Sequence, residues 1–127
     1  MILLDTVAFL WIITNSPNLS RKAKRAYLDT RADIYLSSIS LWEIVVKYNL
    51  GRLPLPKEPA SYIPEQRRLH GVEPIVLTES DVAELQDLPK IHKDPFDRML
   101  VCQAIARGLV ILTPDKMIQD YPVKTLW

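Results

Sequence analysis

"HKDPFDRMLVCQAIARGLVILTPD", residues 92–115, holds a helix, its stop and a strand in succession, and its reading decides the fold class. Asp94 has the chemistry of an N-cap, and Pro95 suits the first helical position, where its missing N–H costs nothing. The helical pattern runs to Arg107, with Gly108 as its stop. "LVILT" (109–113) follows at once and is the most convincing strand in the chain. Asp97 falls in the first helical turn, where the helix dipole favours an anion by roughly 0.3–1 kcal/mol.

The same alternation extends to both ends. "ILLD" (2–5) is a short buried strand, and "TVAFLWIIT" continues as an apolar helix. Residues 20–30 form a helix capped by Ser20, with a charged outer face. A second strand is expected over 33–38, then a helix over 40–51 closed by Gly51. Residues 52–59, "RLPLPKEP", read as a loop. A helix follows over 60–70, confined or bent by Pro64. "EPIVL" (73–77) is a third strand, and residues 78–88 form a helix that opens with a Thr78 to Asp81 capping pattern. "VKTLW" (123–127) supplies a last edge strand. Strands alternating with helices imply an α/β fold with a mostly parallel central sheet, helices flanking it in an α/β/α arrangement.

Composition narrows the function. The 127 residues fit a single domain over residues 1–127, 48% hydrophobic and 24% charged, as soluble globular proteins are. A net charge of +1 provides no global basic field for nucleic acid, so any such binding needs a local patch. The lone cysteine, Cys102, excludes an internal disulfide and a cysteine zinc site, and suits a reducing compartment. In apolar surroundings its thiol keeps a high pKa and is no nucleophile. The apolar start lacks a basic n-region and a cleavage site. Its uninterrupted run over residues 7–13 is far short of the roughly 20 residues of a membrane helix. The expected location is the cytoplasm, without membrane contact. The three glycines, Gly51, Gly71 and Gly108, lie between no strand end and helix start, which disfavours a nucleotide-dependent enzyme.

In a parallel sheet, ligands bind outside the carboxyl ends of the strands. Asp5 ends the first strand, Glu43 sits in the first turn after the second, and Asp115 follows the fourth directly. Topology sends all three to one edge, and Asp97 joins them if its helix starts there. Each has a plain structural reading. Asp5 caps a helix, Ser40 and Glu43 spell a capping box, Asp97 answers the helix dipole, and Asp115 opens a turn. Together the plain readings weaken, because four clustered anions repel unless a cation sits among them. Hard oxygen donors suit Mg²⁺ or Mn²⁺ rather than zinc. The implied chemistry is metal-assisted hydrolysis of a phosphodiester.

"LLDTVAFLW", "SSISLWEIVVK", "HKDPFDRMLVCQA" and "LVILTPD" resemble the four motifs of PIN-domain ribonucleases, and among them the VapC-type toxins of bacterial type II toxin–antitoxin pairs. The resemblance spans nearly the whole chain in the family's order. It implies a metal-dependent endoribonuclease, a homodimer, restrained by a cognate antitoxin that lies across the site. It also implies Asp5, Glu43, Asp97 and Asp115 as catalytic, metal-binding acids, with Thr6, Thr113 and Asp94 in support. Many relatives of this subgroup carry histidine after the Leu-Asp-Thr of the first motif, where this chain has Val7.

The remaining signals are weaker. Arg21, Lys22, Lys24 and Arg25 form the densest basic cluster, either a solvated helix face or a contact for RNA phosphates. Lys47 steers a phosphate or pairs with Glu43 at i,i+4, and Arg98 is similarly open. Trp11 and Trp42 read as core or dimer-interface residues. His70 and His92 flank loops, and neither receives a ligand role. Two rival functions stand beside the nuclease. A receiver-type phospho-acceptor needs an adjacent acidic pair after the first strand, whereas Asp5 stands alone. A degenerate PIN domain that binds protein or RNA without cleaving it is the alternative that Val7 keeps open.

Overall fold

The computed structural model describes residues 1–127. Five strands, β1 (Ile2–Leu4), β2 (Ile34–Ser37), β3 (Glu73–Ile75), β4 (Val110–Leu112) and β5 (Thr125–Leu126), form one sheet in the order β3-β2-β1-β4-β5. Every pairing is parallel. Seven helices surround it: α1 (Thr6–Ile13), α2 (Arg21–Leu28), α3 (Ser38–Asn49), α4 (Pro59–Leu69), α5 (Glu79–Ala83), α6 (Pro95–Arg107) and α7 (Lys116–Gln119). This is the α/β fold that the alternation implied.

Period-two alternation divides the core between the two sheet faces. Leu3 pairs with Ile111 and both face α6, where Leu100, Val101, Cys102 and Ala104 are buried. Ile2, Leu4 and Leu112 face the opposite side, against Phe9 and Ile12 of α1, Ile44 of α3 and Ile63 of α4. Leu3, Leu4, Ile111 and Leu112 are fully buried, as the central strands of a two-sided parallel sheet should be. β1 lies in the middle. From it the chain steps outward through β2 and β3, then returns to the other side with β4 and β5. The carboxyl ends of β1 and β4 therefore flank a topological switch point, where open α/β sheets bind ligands.

The caps follow the chemistry of the sequence, with two corrections. Ser20 accepts the Ala23 N–H, and Thr78 and Asp81 form the full capping box. Gly108 closes α6 at φ +65°, a left-handed conformation that disfavours side chains. The Ser40–Glu43 capping box does not form. The strand ends sooner than expected, Ser37 caps α3 by accepting the Ile39 N–H, and the helix begins at Ser38. Glu43 accordingly lies in the second turn, released from any duty to its own helix start. Asp115 does more than open a turn: it caps the four-residue α7, absent from the sequence reading because one helical turn carries no periodicity. Pro64 lies within α4 without ending it, at the loss of one backbone hydrogen bond.

Candidate active site

At the carboxyl edge of the sheet lies a cleft of about 360 Å³ lined by Asp5, Glu43, Asp94, Asp97 and Asp115, with Lys47 and Arg52 as its cations. Thr6, Val7, Leu10 and Leu53 complete it. Five carboxylates face two cations, so the cleft favours a positively charged occupant.

Each acid is held by its own element. Asp5 caps α1: Oδ1 accepts the Ala8 N–H at 2.7 Å, while Oδ2 accepts the hydroxyl of Thr113. The same Thr113 oxygen accepts the Asp115 N–H at 3.0 Å, so one buried hydroxyl just past β4 ties both aspartates together. Asp115 Oδ1 takes the Met117 N–H at 2.8 Å. The Thr6 hydroxyl donates to Glu43 Oε1 at 2.6 Å, and Ser40 Oγ stands 3.0 Å from the same hydroxyl. Capping and clustering are thus compatible, because a carboxylate has two oxygens and a cap uses one.

Asp94 accepts the N–H groups of Phe96 and Asp97 at 2.9 and 3.2 Å, which makes it the cap of α6. Asp97 caps nothing. His92 Nε2 lies 3.5 Å from its Oδ2. Ligand atoms of His92, Asp97 and Asp115 all lie within 4.8 Å of one another. His92, a residue that flanks a loop in the sequence, is thus brought to the acids by the fold. The signal was its place two residues before Asp94, but a loop has no period from which to infer direction.

The electrostatics record the crowding. Burial pushes the Asp97 carboxyl up to about 8, and the charges of Asp94, Glu43, Asp115 and Asp5 add to the shift. Burial also raises Asp5, to about 6, with Asp115 and Glu43 contributing, against hydrogen bonds from Thr113 and Ala8. Neither forms an ion pair with a lysine or an arginine. Lys47 Nζ instead pairs with Glu43 Oε2 at 2.5 Å. Burial works against its charge, but Glu43, Asp94 and Asp97 outweigh that and hold the ammonium above its usual range.

Other expected contacts lie elsewhere. Arg21, Lys24 and Arg25 line a separate depression with Leu28 and Asp29, and Lys22 is exposed on the same helix. Arg98 Nη1 is engaged by the Pro89 carbonyl at 2.8 Å and the Tyr121 hydroxyl at 3.1 Å, outside the acid cleft. Arg52, absent from the sequence reading because its segment looked only like a loop, lines the cleft. Cys102 is buried, and burial raises its thiol pKa, as expected. Trp42 is 56% exposed with its ring edge-on to Phe96, so it is no core residue.

The family model of the PIN domain matches residues 2–124. Ribonuclease VapC16 of Mycobacterium tuberculosis (strain ATCC 25618 / H37Rv) is 42% identical over 55 residues, 43% of this chain and 39% of the relative. That match thus spans well under half of either protein. The fold is similar to that of VapBC2 from Rickettsia felis bound to a promoter DNA fragment, with TM-score 0.72, 19% identity, and coverage of 98% and 97% of the two chains. It is similar also to DNA-bound VapBC from Salmonella typhimurium, with TM-score 0.70, 21% identity, and coverage of 98% and 95%.

Proposed function

The chain belongs to the PIN-domain family, and from that premise and its acid cleft we infer that it is a metal-dependent endoribonuclease, the toxin of a type II toxin–antitoxin pair. Asp5, Glu43, Asp97 and Asp115 hold Mg²⁺ or Mn²⁺. The observation that carries this reading is the convergence of Asp5, Glu43, Asp97 and Asp115, beside the cap Asp94, on one cleft whose Lys47 is already paired with Glu43. An anion cluster of that kind is costly unless a cation completes it. The donors are carboxylate oxygens on separate elements, the chemistry that hard divalent ions prefer.

When bound, such an ion supplies a water of lowered pKa and positive charge beside the phosphate. The chain's own residues do the rest. Thr113 and the Ala8 N–H fix the Asp5 carboxylate, and Thr6 fixes one oxygen of Glu43. Lys47 and Arg52, on the wall of the cleft, are placed to bind a phosphate of the RNA. Leu10, Leu53 and Val7 leave one side apolar, where bases or an antitoxin segment would rest. The relative named a ribonuclease and the neighbours named VapBC support the toxin reading, and a homodimer with a cognate antitoxin is the assembly it implies. No helix is long and apolar enough to cross a membrane.

The test is cleavage of single-stranded RNA with Mg²⁺ or Mn²⁺, with EDTA, and with metal restored. Cleavage that follows the metal is expected. Cleavage indifferent to EDTA would overturn the mechanism, and no cleavage despite metal binding would favour the binding-module alternative.

A further inference from the structure

The proposed metal site leaves one buried side chain unexplained. His92 has a side chain only 7% exposed, and its Nε2 is a buried nitrogen without a hydrogen-bond partner. With Asp97 and Asp115 it forms a candidate ligand triad, and a nitrogen ligand there would change which ion the site prefers. The hydrogen bonds behind the ring decide otherwise.

His92 Nδ1 lies 2.8 Å from Tyr121 Oη. That phenol oxygen already faces two obligate donors, the His92 backbone N–H at 3.2 Å and Arg98 Nη1 at 3.1 Å. Two lone pairs serve those two donors, and a phenol has one hydrogen left to give. The hydrogen goes to Nδ1. A proton on Nδ1 would instead set three donors against one oxygen. Nδ1 is therefore an acceptor, and the ring proton is on Nε2, which faces Asp97 Oδ2 at 3.5 Å. A metal-ligating imidazole has the reverse arrangement, with its outer nitrogen donating and its inner lone pair free. Arg98 is anchored in turn by the Pro89 carbonyl, so the chain Arg98–Tyr121–His92 has one direction.

Resting on the reading of Asp97 as a metal ligand, we propose that His92 is a positioning residue, not a ligand: Arg98 and Tyr121 hold it in the Nε2–H tautomer, and that N–H braces Oδ2 of Asp97 and leaves Oδ1 to the metal. The gap of 3.5 Å is longer than a formed hydrogen bond. The positioning role also accounts for Arg98, whose sequence-stretch neighbours belong to the site while its guanidinium points elsewhere.

The chain has its own control. His70 Nδ1 lies 2.8 Å from the Gln66 carbonyl, which only accepts, so His70 is in the Nδ1–H form. The two histidines must be opposite tautomers. Long-range proton–nitrogen NMR of the full chain, at about pH 8 where ordinary imidazoles are neutral, reads both rings in one spectrum, and His70→Gln assigns them. The expected result is a bare Nδ1 and a protonated Nε2 for His92, unchanged on addition of Mg²⁺, with the reverse for His70. A bare Nε2 on His92, or loss of its proton as Mg²⁺ is added, would overturn the proposal.

Calorimetry with Mn²⁺ supplies the second measurement. His92→Phe should weaken binding about 10-fold or more, the usual effect of losing an outer partner of a ligand. His92→Gln, which restores an N–H donor, should recover part of it. Equal Mn²⁺ affinity in His92→Phe and wild type would overturn the bracing role. A wild-type chain that binds no Mn²⁺ would overturn the metal reading itself, and the spectrum separates that failure from this one.

Discussion

Helix α6 carries a buried charge pair question at each end, and the two ends answer it oppositely. In its last turn, Arg107 donates from Nη2 to Asp81 Oδ2 at 2.9 Å and from Nε to Oδ1 at 3.2 Å. Gln103 and the Thr78 N–H add further donors to Asp81. Asp81 is 1% exposed, yet its carboxyl is held below the ordinary range: burial alone would raise it, and these partners more than reverse that. In the first turn, Asp97 is less buried, yet burial, with the surrounding acids adding to it, pushes its carboxyl up to about 8 because no set of donors opposes it. Depth of burial does not separate the two aspartates. The complement of partners does. Asp81 is satisfied by the chain, while Asp97 has no such set of donors, and the proposed metal ion would supply what it lacks.

The sharpest way to break this comparison is to remove one charge from each end. Asp97→Asn takes away one of several mutually repelling carboxylates, so the metal-free protein should melt at the wild-type temperature or above it. Its stabilisation by Mn²⁺ should shrink, and RNA cleavage should fall by at least the ~10–100-fold typical of losing even an outer partner of a metal ligand. Melting curves with and without Mn²⁺, with one cleavage assay, decide it. A destabilised variant that keeps both its metal response and its activity would return Asp97 to the helix dipole.

Arg107→Ala should behave in the opposite manner. It strands the Asp81 carboxylate in the core, at a cost of roughly 3 kcal/mol. The increment that Mn²⁺ adds to the melting temperature should stay at its wild-type size. If the Mn²⁺ increment changes as well, the two ends of α6 are coupled and the contrast is not one of independent sites.

How far this contrast was legible in the sequence follows from what each residue's position depends on. The strands around Leu3 and Ile111 and the caps at Ser20, Thr78 and Asp94 are local, and apolar patterning with cap chemistry found them. Convergence of Asp5, Glu43 and Asp115 on one edge followed from parallel topology, which needs only the order of elements, while Asp97 depended on where its helix begins, and α6 does begin at that cleft. Two kinds of fact escaped. One is the choice between rival local caps, as where Ser37 displaced the Ser40–Glu43 box because β2 ended early. The other is the direction of side chains in irregular segments: Arg52 entered the cleft and His92 turned toward Asp97 from stretches with no period to read. The Asp81–Arg107 pair, 26 residues apart in sequence, gave no sign of itself because it depends on how α5 packs against α6.

Acid and alkali should sharpen the comparison further, because the two aspartates shift in opposite directions. Asp97 and Asp5 have folded pKa values near 8 and 6, above the unfolded value of about 4. Their contribution to stability is full below the unfolded value and is lost as pH rises through the folded ones. Asp81, held low, contributes above its unfolded value and loses that contribution as pH falls through its folded one. The metal-free protein should therefore melt at a lower temperature at pH 8 than at pH 5. Mn²⁺ should flatten that slope by favouring the carboxylates, and Asp97→Asn should reduce it. A metal-free melting temperature that rises steadily from pH 5 to pH 8 would mean that the acids are not crowded as described.

The smallest expected effect tests the apolar side of the cleft. Val7 lines it beside Asp5 and Thr6, with Leu10 and Leu53 nearby, where the family resemblance implies a histidine. A histidine in place of valine adds a donor facing an incoming phosphate, a partly exposed contact of up to about 1 kcal/mol, or about fivefold in rate. Val7→His should raise RNA cleavage by that order and leave Mn²⁺ affinity unchanged, since Asp5, Glu43 and Asp115 keep their tethers in Thr6, Thr113 and the helix caps, and Asp97 keeps His92 beside it. The two readouts separate the possible errors. Tighter Mn²⁺ binding with unchanged cleavage would place residue 7 among the metal's donors and not on the substrate's path. Unchanged cleavage with unchanged affinity would mean that the RNA passes on the Lys47 and Arg52 wall alone, and that the apolar side serves an antitoxin segment instead.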